Sequence, residues 1–280
     1  MWRRSPAPGI VGYRAGPARI EPALLLWCTV GIAGSCLAQS VPPTSAQSAR
    51  TSTPEQVTDC TGAAREHLYG ELANFARYGT ANATLPPPAP GERRVVFMGD
   101  SITDFWSTVD PKFFARADFI DRGITGQTTT QMLLRFRQDV IALKPAVVHI
   151  MGGTNDIAGN AGPMELPAIE ANIASMVDLA RANGIRVVIA SVLPATEFSW
   201  RPGIDPGPKI AALNRWLKSY SHARHLAYVD YYSALTDGAL GMKSEFTSDG
   251  VHPSLPGYLV MDPLANAAIR AMSPLRTRPP

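Results

Sequence analysis

Four short segments hold the residues that could do chemistry: Gly99-Asp100-Ser101-Ile102-Thr103, Arg122-Gly123-Ile124-Thr125-Gly126-Gln127-Thr128, Gly152-Gly153-Thr154-Asn155-Asp156 and Asp249-Gly250-Val251-His252. A serine hydroxyl is a poor nucleophile until a base takes its proton, so Ser101 matters only if a base can be found. Of the histidines at 67, 149, 222, 225 and 252, only His252 has an aspartate three residues before it. In a tight loop that spacing lets Asp249 hold one imidazole nitrogen, which fixes the tautomer and leaves the other nitrogen free to accept the serine proton. The plainer readings are a serine helix cap and a solvated turn. His149, inside an apolar run, reads as a core residue, and His222 and His225 read as polar groups at a helix end.

Acyl transfer also needs donors aimed at the oxygen where negative charge develops. Gly126 can present its backbone N–H unshielded, the Ser101 N–H can add a second donor, and the Asn155 amide can donate without ionising. Each fragment alone is a common turn. In this order they supply a nucleophile, a base with its orienting carboxylate, and oxyanion donors.

The elements that must position these residues alternate. Short apolar runs predict strands near 94–98, 118–121, 146–151, 186–192 and 226–230, and amphipathic stretches predict helices near 128–143, 166–183, 208–221 and 256–271. That is repeated βα, an α/β fold with a parallel sheet. Met132, Leu133, Phe136, Val140 and Leu143 share one helix face, as do Ile169, Ile173, Met176 and Val177 on the next; Arg135, Arg137, Asp139, Glu170 and Asp178 are assigned to the polar faces. Val147-Val148 and Val187-Val188-Ile189 read as central strands buried on both sides. Ligands of such sheets sit beyond the carboxyl ends of the strands. Ser101 follows the first strand, Gly126 the second and Asn155 the third, so all three converge on that edge.

Composition bounds the rest. The 280 residues are 45% apolar and 18% charged, enough for a sizeable core. The net charge of +3 belongs to residues 1–38, which hold four arginines against Glu21. The body is then neutral, without the clustered basic face that nucleic acid requires. Residues 1–38, ending in an apolar run too short for a stable span, predict a cleaved export signal and a periplasmic or secreted product. A second reading lipidates Cys36 at the outer membrane, although the leucine usual three residues before such a cysteine is absent. The long segment before Ala23 predicts that translation begins downstream. Residues 39–60 read as a flexible linker and residues 61–92 as a helix, ended by Gly79, with a Pro-rich connector; the domain proper spans 93–274. Only Cys60 remains in the mature chain, which excludes an internal disulfide, and no Cys/His cluster has zinc spacing.

The four blocks together resemble the SGNH, or GDSL-type, hydrolase superfamily, whose Ser, Gly, Asn and His are matched by Ser101, Gly126, Asn155 and His252, with Asp249 matching the triad acid. The resemblance runs from Arg93 to Met272. It implies a three-layer α/β/α sandwich of flavodoxin type around a five-stranded parallel sheet, no metal or other cofactor, and ester hydrolysis through an acyl-enzyme. Ile102-Thr103 replaces the leucine of the name-giving motif, a common variant, and Asp121 stands where many members have Asn. The strings Gly-Asp-Ser-Ile-Thr-Asp and Arg-Gly-Ile-Thr-Gly-Gln-Thr-Thr look most like the branch of acetylhydrolase-like and carbohydrate O-acetyl esterases.

Substrate clues lie beside the site. Trp106 and Trp200 could stack on a sugar ring, and Arg201 could hold a carboxylate or phosphate; the alternative is that Trp106 and Phe198 simply pack. No long apolar insertion appears, which favours a short acyl group. The expected partner is therefore a small-molecule or glycan ester, with no nucleic acid and no membrane span. A lipid hydrolase of the lysophospholipase or thioesterase kind, an acyltransferase, and a non-catalytic carbohydrate-binding module are the competing readings.

Overall fold

In a computed structural model of the chain, residues 72–272 are described. They belong to the unit Gln56–Pro280. The expected leader, the linker, the three cysteines and the start of the N-terminal helix lie outside the described residues.

Among the described residues, five strands form one parallel sheet: β1 (Val95–Gly99), β2 (Phe119–Gly123), β3 (Val147–Met151), β4 (Arg186–Ala190) and β5 (Ala227–Val229), in the order β2-β1-β3-β4-β5. β1, β3 and most of β4 are buried on both faces, as their unbroken apolar runs require. Side chains alternate between two layers. Val96, Met98, Val148, Ile150, Val187 and Ile189 face α3 (Thr129–Asp139), α5 (Leu166–Ala182) and α6 (Gly207–Ala223). Val95, Phe97, Val188 and Ala190 face α2 (Ser101–Val109), α7 (Tyr231–Leu235) and α8 (Leu255–Ala271). The expected three-layer α/β/α sandwich is the fold observed.

Two helices differ from expectation. The helix read as ending at Gly79 instead continues as α1 (Ala76–Thr84). It is held by long-range bonds that local sequence does not show: Tyr78 Oη donates to Gly123 O at 2.5 Å, and Arg122 donates to Asn82 Oδ1 at 2.7 Å. The helix expected over 128–143 stops at Asp139 and resumes as a 3₁₀ turn, Ile141–Leu143. A short α4 (Thr154–Ile157) follows β3.

The register aligns the ends that matter. Gly99 pairs with Gly123 on one side and with Met151 on the other. β1, β2 and β3 thus end level, and β1 and β3 flank the point where the strand order reverses, where ligands of such sheets bind. Close approach is enforced at Gly123, where a Cβ would lie 2.1 Å from the Asp104 backbone nitrogen. Only glycine lets α2 sit directly on β2.

Candidate active site

Ser101 is the first residue of α2, immediately beyond β1. Asp100 caps the helix by accepting from the Ile102 N–H at 3.0 Å. Burial pushes the Asp100 carboxyl up to about 6. As the first helical residue Ser101 keeps an unbonded backbone N–H, and its side chain is nearly buried.

His252 hangs from the loop between the 3₁₀ turn Ser244–Phe246 and α8. Thr247 ties this loop, its Oγ1 donating to His252 O at 2.8 Å while accepting from the Gly250 N–H. Asp249 Oδ1 accepts from the N–H groups of Val251 and His252 at 2.9 and 2.8 Å, and Oδ2 lies 2.6 Å from His252 Nδ1. Although partial burial opposes it, these hydrogen bonds from the His252 ring and backbone hold Asp249 down at about 2. Asp249 is therefore ionised and accepts only, which places the ring proton on Nδ1. Nε2 is left as the acceptor facing Ser101 Oγ, 2.9 Å away. In this arrangement the ring can take the hydroxyl proton while the carboxylate stabilises the resulting imidazolium.

Gly126 occupies a turn after β2 with φ +80°, where a side chain would be strained. The turn is secured by Gln127 N–H to Ile124 O and by Thr125, whose N–H and Oγ1 both bond Asp104 Oδ2. Asn155 lies on α4, its Nδ2 donating to Gln127 O at 3.0 Å. One amide hydrogen is thus used, and a carboxamide has two. Behind the turn, Asp121 Oδ1 accepts from the Gly123 N–H at 2.7 Å, as an amide oxygen there could, while Oδ2 accepts from Ser107 Oγ at 2.5 Å, which an amide nitrogen could not. Burial pushes this carboxyl up to about 7.

The proposed substrate residues separate. Trp200 is 39% exposed, stacked on buried Phe198, with its ring centroid 6.1 Å from that of His252. Arg201 donates to Gly159 O and helps line a cavity of about 380 Å³ with Asp156, Met164, Ile204 and Lys209. Trp106 is corrected: it is fully buried, stacked between Phe113 and Tyr258, with Nε1 bonded to Asp262. No face of it can meet a sugar. Phe105, its exposed neighbour, instead approaches His252, with ring centroids 5.2 Å apart.

Arg135 and Asp139 are also corrected, for neither is on a polar face. Both are buried and paired at 3.0 Å. Arg135 further donates to Gly99 O, Arg122 O and Gln127 Oε1, so one guanidinium holds the ends of β1 and β2 and the loop after Gly126. A signal was present, since Met132, Arg135, Phe136 and Asp139 form one stripe at helical spacing. Asp156 likewise bonds the Thr129 N–H and Oγ1, joining α4 to the start of α3. Among the described residues, no group of His, Cys, Asp and Glu could hold a metal ion, and no helix is long and apolar enough to cross a membrane.

Comparison with known proteins agrees with this geometry. A proposed acylhydrolase from Bacteroides fragilis is 48% identical, with a TM-score of 0.70, over 71% of this chain and 97% of that one. A GDSL-like lipase from Bacteroides thetaiotaomicron is 46% identical, also at 0.70, over 71% and 98%. The esterase TesA of Pseudomonas aeruginosa is 28% identical over 49% of this chain, and the uncharacterized lipoprotein YqeF of Bacillus subtilis is 32% identical over 29%. The match spans 61% of TesA and 34% of YqeF. Residues 97–260, more than half of the chain, match the GDSL-like lipase/acylhydrolase family as a whole. With the three-layer fold and the Ser101–His252–Asp249 geometry, these matches establish that the chain belongs to the GDSL-like lipase/acylhydrolase family of carboxylic ester hydrolases.

Proposed function

We propose that this protein is an exported serine esterase that removes short acyl groups, chiefly acetyl, from a glycan or other small ester through an acyl-enzyme. The observation that supports it most is the pair of contacts at His252, 2.9 Å to Ser101 Oγ and 2.6 Å to Asp249 Oδ2. Ser101 Oγ attacks the ester carbonyl as its proton passes to His252 Nε2. The N–H groups of Ser101 and Gly126 and the Asn155 amide receive the oxyanion. His252 then gives its proton to the departing alcohol as the acyl–alkoxy bond breaks. A water repeats the cycle, releasing the carboxylic acid and restoring Ser101. Trp200 is the platform for the alcohol part, and Arg201 meets an anionic group on it.

Hydrolysis of a p-nitrophenyl ester series from acetyl to palmitoyl tests this reading, with Ser101→Ala alongside. A steep fall beyond butyryl that vanishes in the variant supports it. A preference for long chains moves the substrate to lipids, and silence throughout moves the protein to a binding role.

A further inference from the structure

Asn160 has no part in the chemistry above, yet it contacts the Asn155 amide directly. Gly159 and Gly162, at φ +70° and +101°, turn the chain back after α4, and the Asn160 N–H bonds Asn155 O at 3.0 Å. This fold-back sets one carboxamide on the other: Asn160 Nδ2 donates to Asn155 Oδ1 at 2.6 Å. On its far side, Asn160 Oδ1 accepts from Trp200 Nε1 at 3.0 Å.

The sense of this chain is set at both ends. An indole nitrogen can only donate and a backbone carbonyl can only accept. Trp200 N–H therefore turns the oxygen of Asn160 toward itself and its amino group toward Asn155. Asn155 must answer with its oxygen, which sends its own amino group to Gln127 O and the sheet edge. Two amides that could each flip are held in one orientation by a tryptophan 6.1 Å from the His252 ring.

We propose that Asn160 is a positioning residue that, with the indole N–H of Trp200, fixes the amide of Asn155 as an oxyanion donor, coupling the surface that receives the alcohol to the group that stabilises the transition state. This rests on the role given to Asn155 above. Without Asn160 the Asn155 oxygen loses its donor and the amide is held only by its bond to Gln127 O, so a flipped amide presents its oxygen to the oxyanion part of the time; the loss falls on the transition state and spares ground-state binding.

The test is a double-mutant cycle in the full chain with p-nitrophenyl acetate. Asn160→Ala should lower kcat about tenfold with KM within about twofold, less than the roughly hundredfold or greater loss of a deleted oxyanion donor. Trp200→Phe keeps an aromatic ring stacked on Phe198 but loses the indole N–H along with the fused five-membered ring, and should lower kcat in the same sense. Inhibition by a boronic acid, which forms a tetrahedral adduct on serine, should weaken with kcat. In an Asn155→Ala background, Asn160→Ala should cost nothing further. An unchanged kcat in Trp200→Phe, or an equal loss from Asn160→Ala with and without Asn155, overturns the proposal while leaving the esterase reading intact. A wild-type chain silent on every ester removes both.

Discussion

Trp106 Nε1 donates to Asp262 Oδ1 at 3.0 Å, and this partly buried bond joins the helix that begins at Ser101 to the helix that follows His252. Tyr258 Oη reinforces it by donating to Ile102 O at 2.8 Å, and the two rings stack 5.5 Å apart. Ser101 and His252, 151 positions apart in sequence, meet at 2.9 Å because α2 and α8 are locked along this seam.

Trp106→Ala should therefore destabilise the fold by about 3–5 kcal/mol, the usual range for a fully buried aromatic. Urea unfolding measures it. In the folded fraction, KM for an acetylated oligosaccharide should be unchanged, whereas Trp200→Ala should raise it at least severalfold with little loss of stability. A Trp106 variant with raised KM and native stability would contradict the burial.

Within the triad the losses should be graded. Ser101→Ala should cost on the order of 10⁶ in kcat and Asp249→Asn on the order of 10⁴, by analogy with other Ser-His-Asp enzymes. An asparagine at 249 can still accept at the backbone but reverses the tautomer preference of His252. Steady-state kinetics on p-nitrophenyl acetate measures both, and equal effects would show that Asp249 does more than orient the ring.

Arg135 spans four acceptors with no exposed surface. Arg135→Met leaves Asp139 buried beside its lost partner and should cost about 3–5 kcal/mol. Arg135→Met/Asp139→Leu should recover part of that stability, because no lone charge remains buried. Recovery of kcat should not follow, since Gly99 O and Gln127 Oε1 still lack their donor. Chemical denaturation and kinetics on the same samples separate the two effects.

Asp121 gives a pH signature. Its carboxyl is pushed from 3.8 up to about 7, chiefly by burial. Between those values the folded chain keeps a proton that the unfolded chain has released, so stability contributed here falls as pH rises from about 4 to about 7. Asp121→Asn keeps an oxygen for the Gly123 N–H and removes the ionisation. It should be more stable than wild type at about pH 8 and nearly equal to it at about pH 4, read from urea midpoints. A constant difference at both would assign the effect to packing.

What local sequence determined here is the order of the strands and helices, along with the choice of residues proposed as reactive groups. Apolar runs and period-3.6 patterns come from neighbouring residues, and the Asp249–His252 pair closes within one loop of its own hydrogen bonds. The placement of Ser101, Gly126 and Asn155 just beyond the carboxyl ends of β1, β2 and β3 of one parallel sheet was also legible. Which surfaces become covered was decided by tertiary packing. Trp106 lies on the same helix as exposed Phe105, and only contact with Tyr258 and Phe113 buries it. Arg135 and Asp139 look solvated by residue type, yet the carbonyls of Gly99 and Arg122, brought close by the β1–β2 register, make a buried guanidinium tenable. Asn160 meets Trp200 across 40 residues. A helix pattern reports the face a residue occupies on its own element; burial and hydrogen bonding depend on what packs against that face, and those partners are distant in the chain.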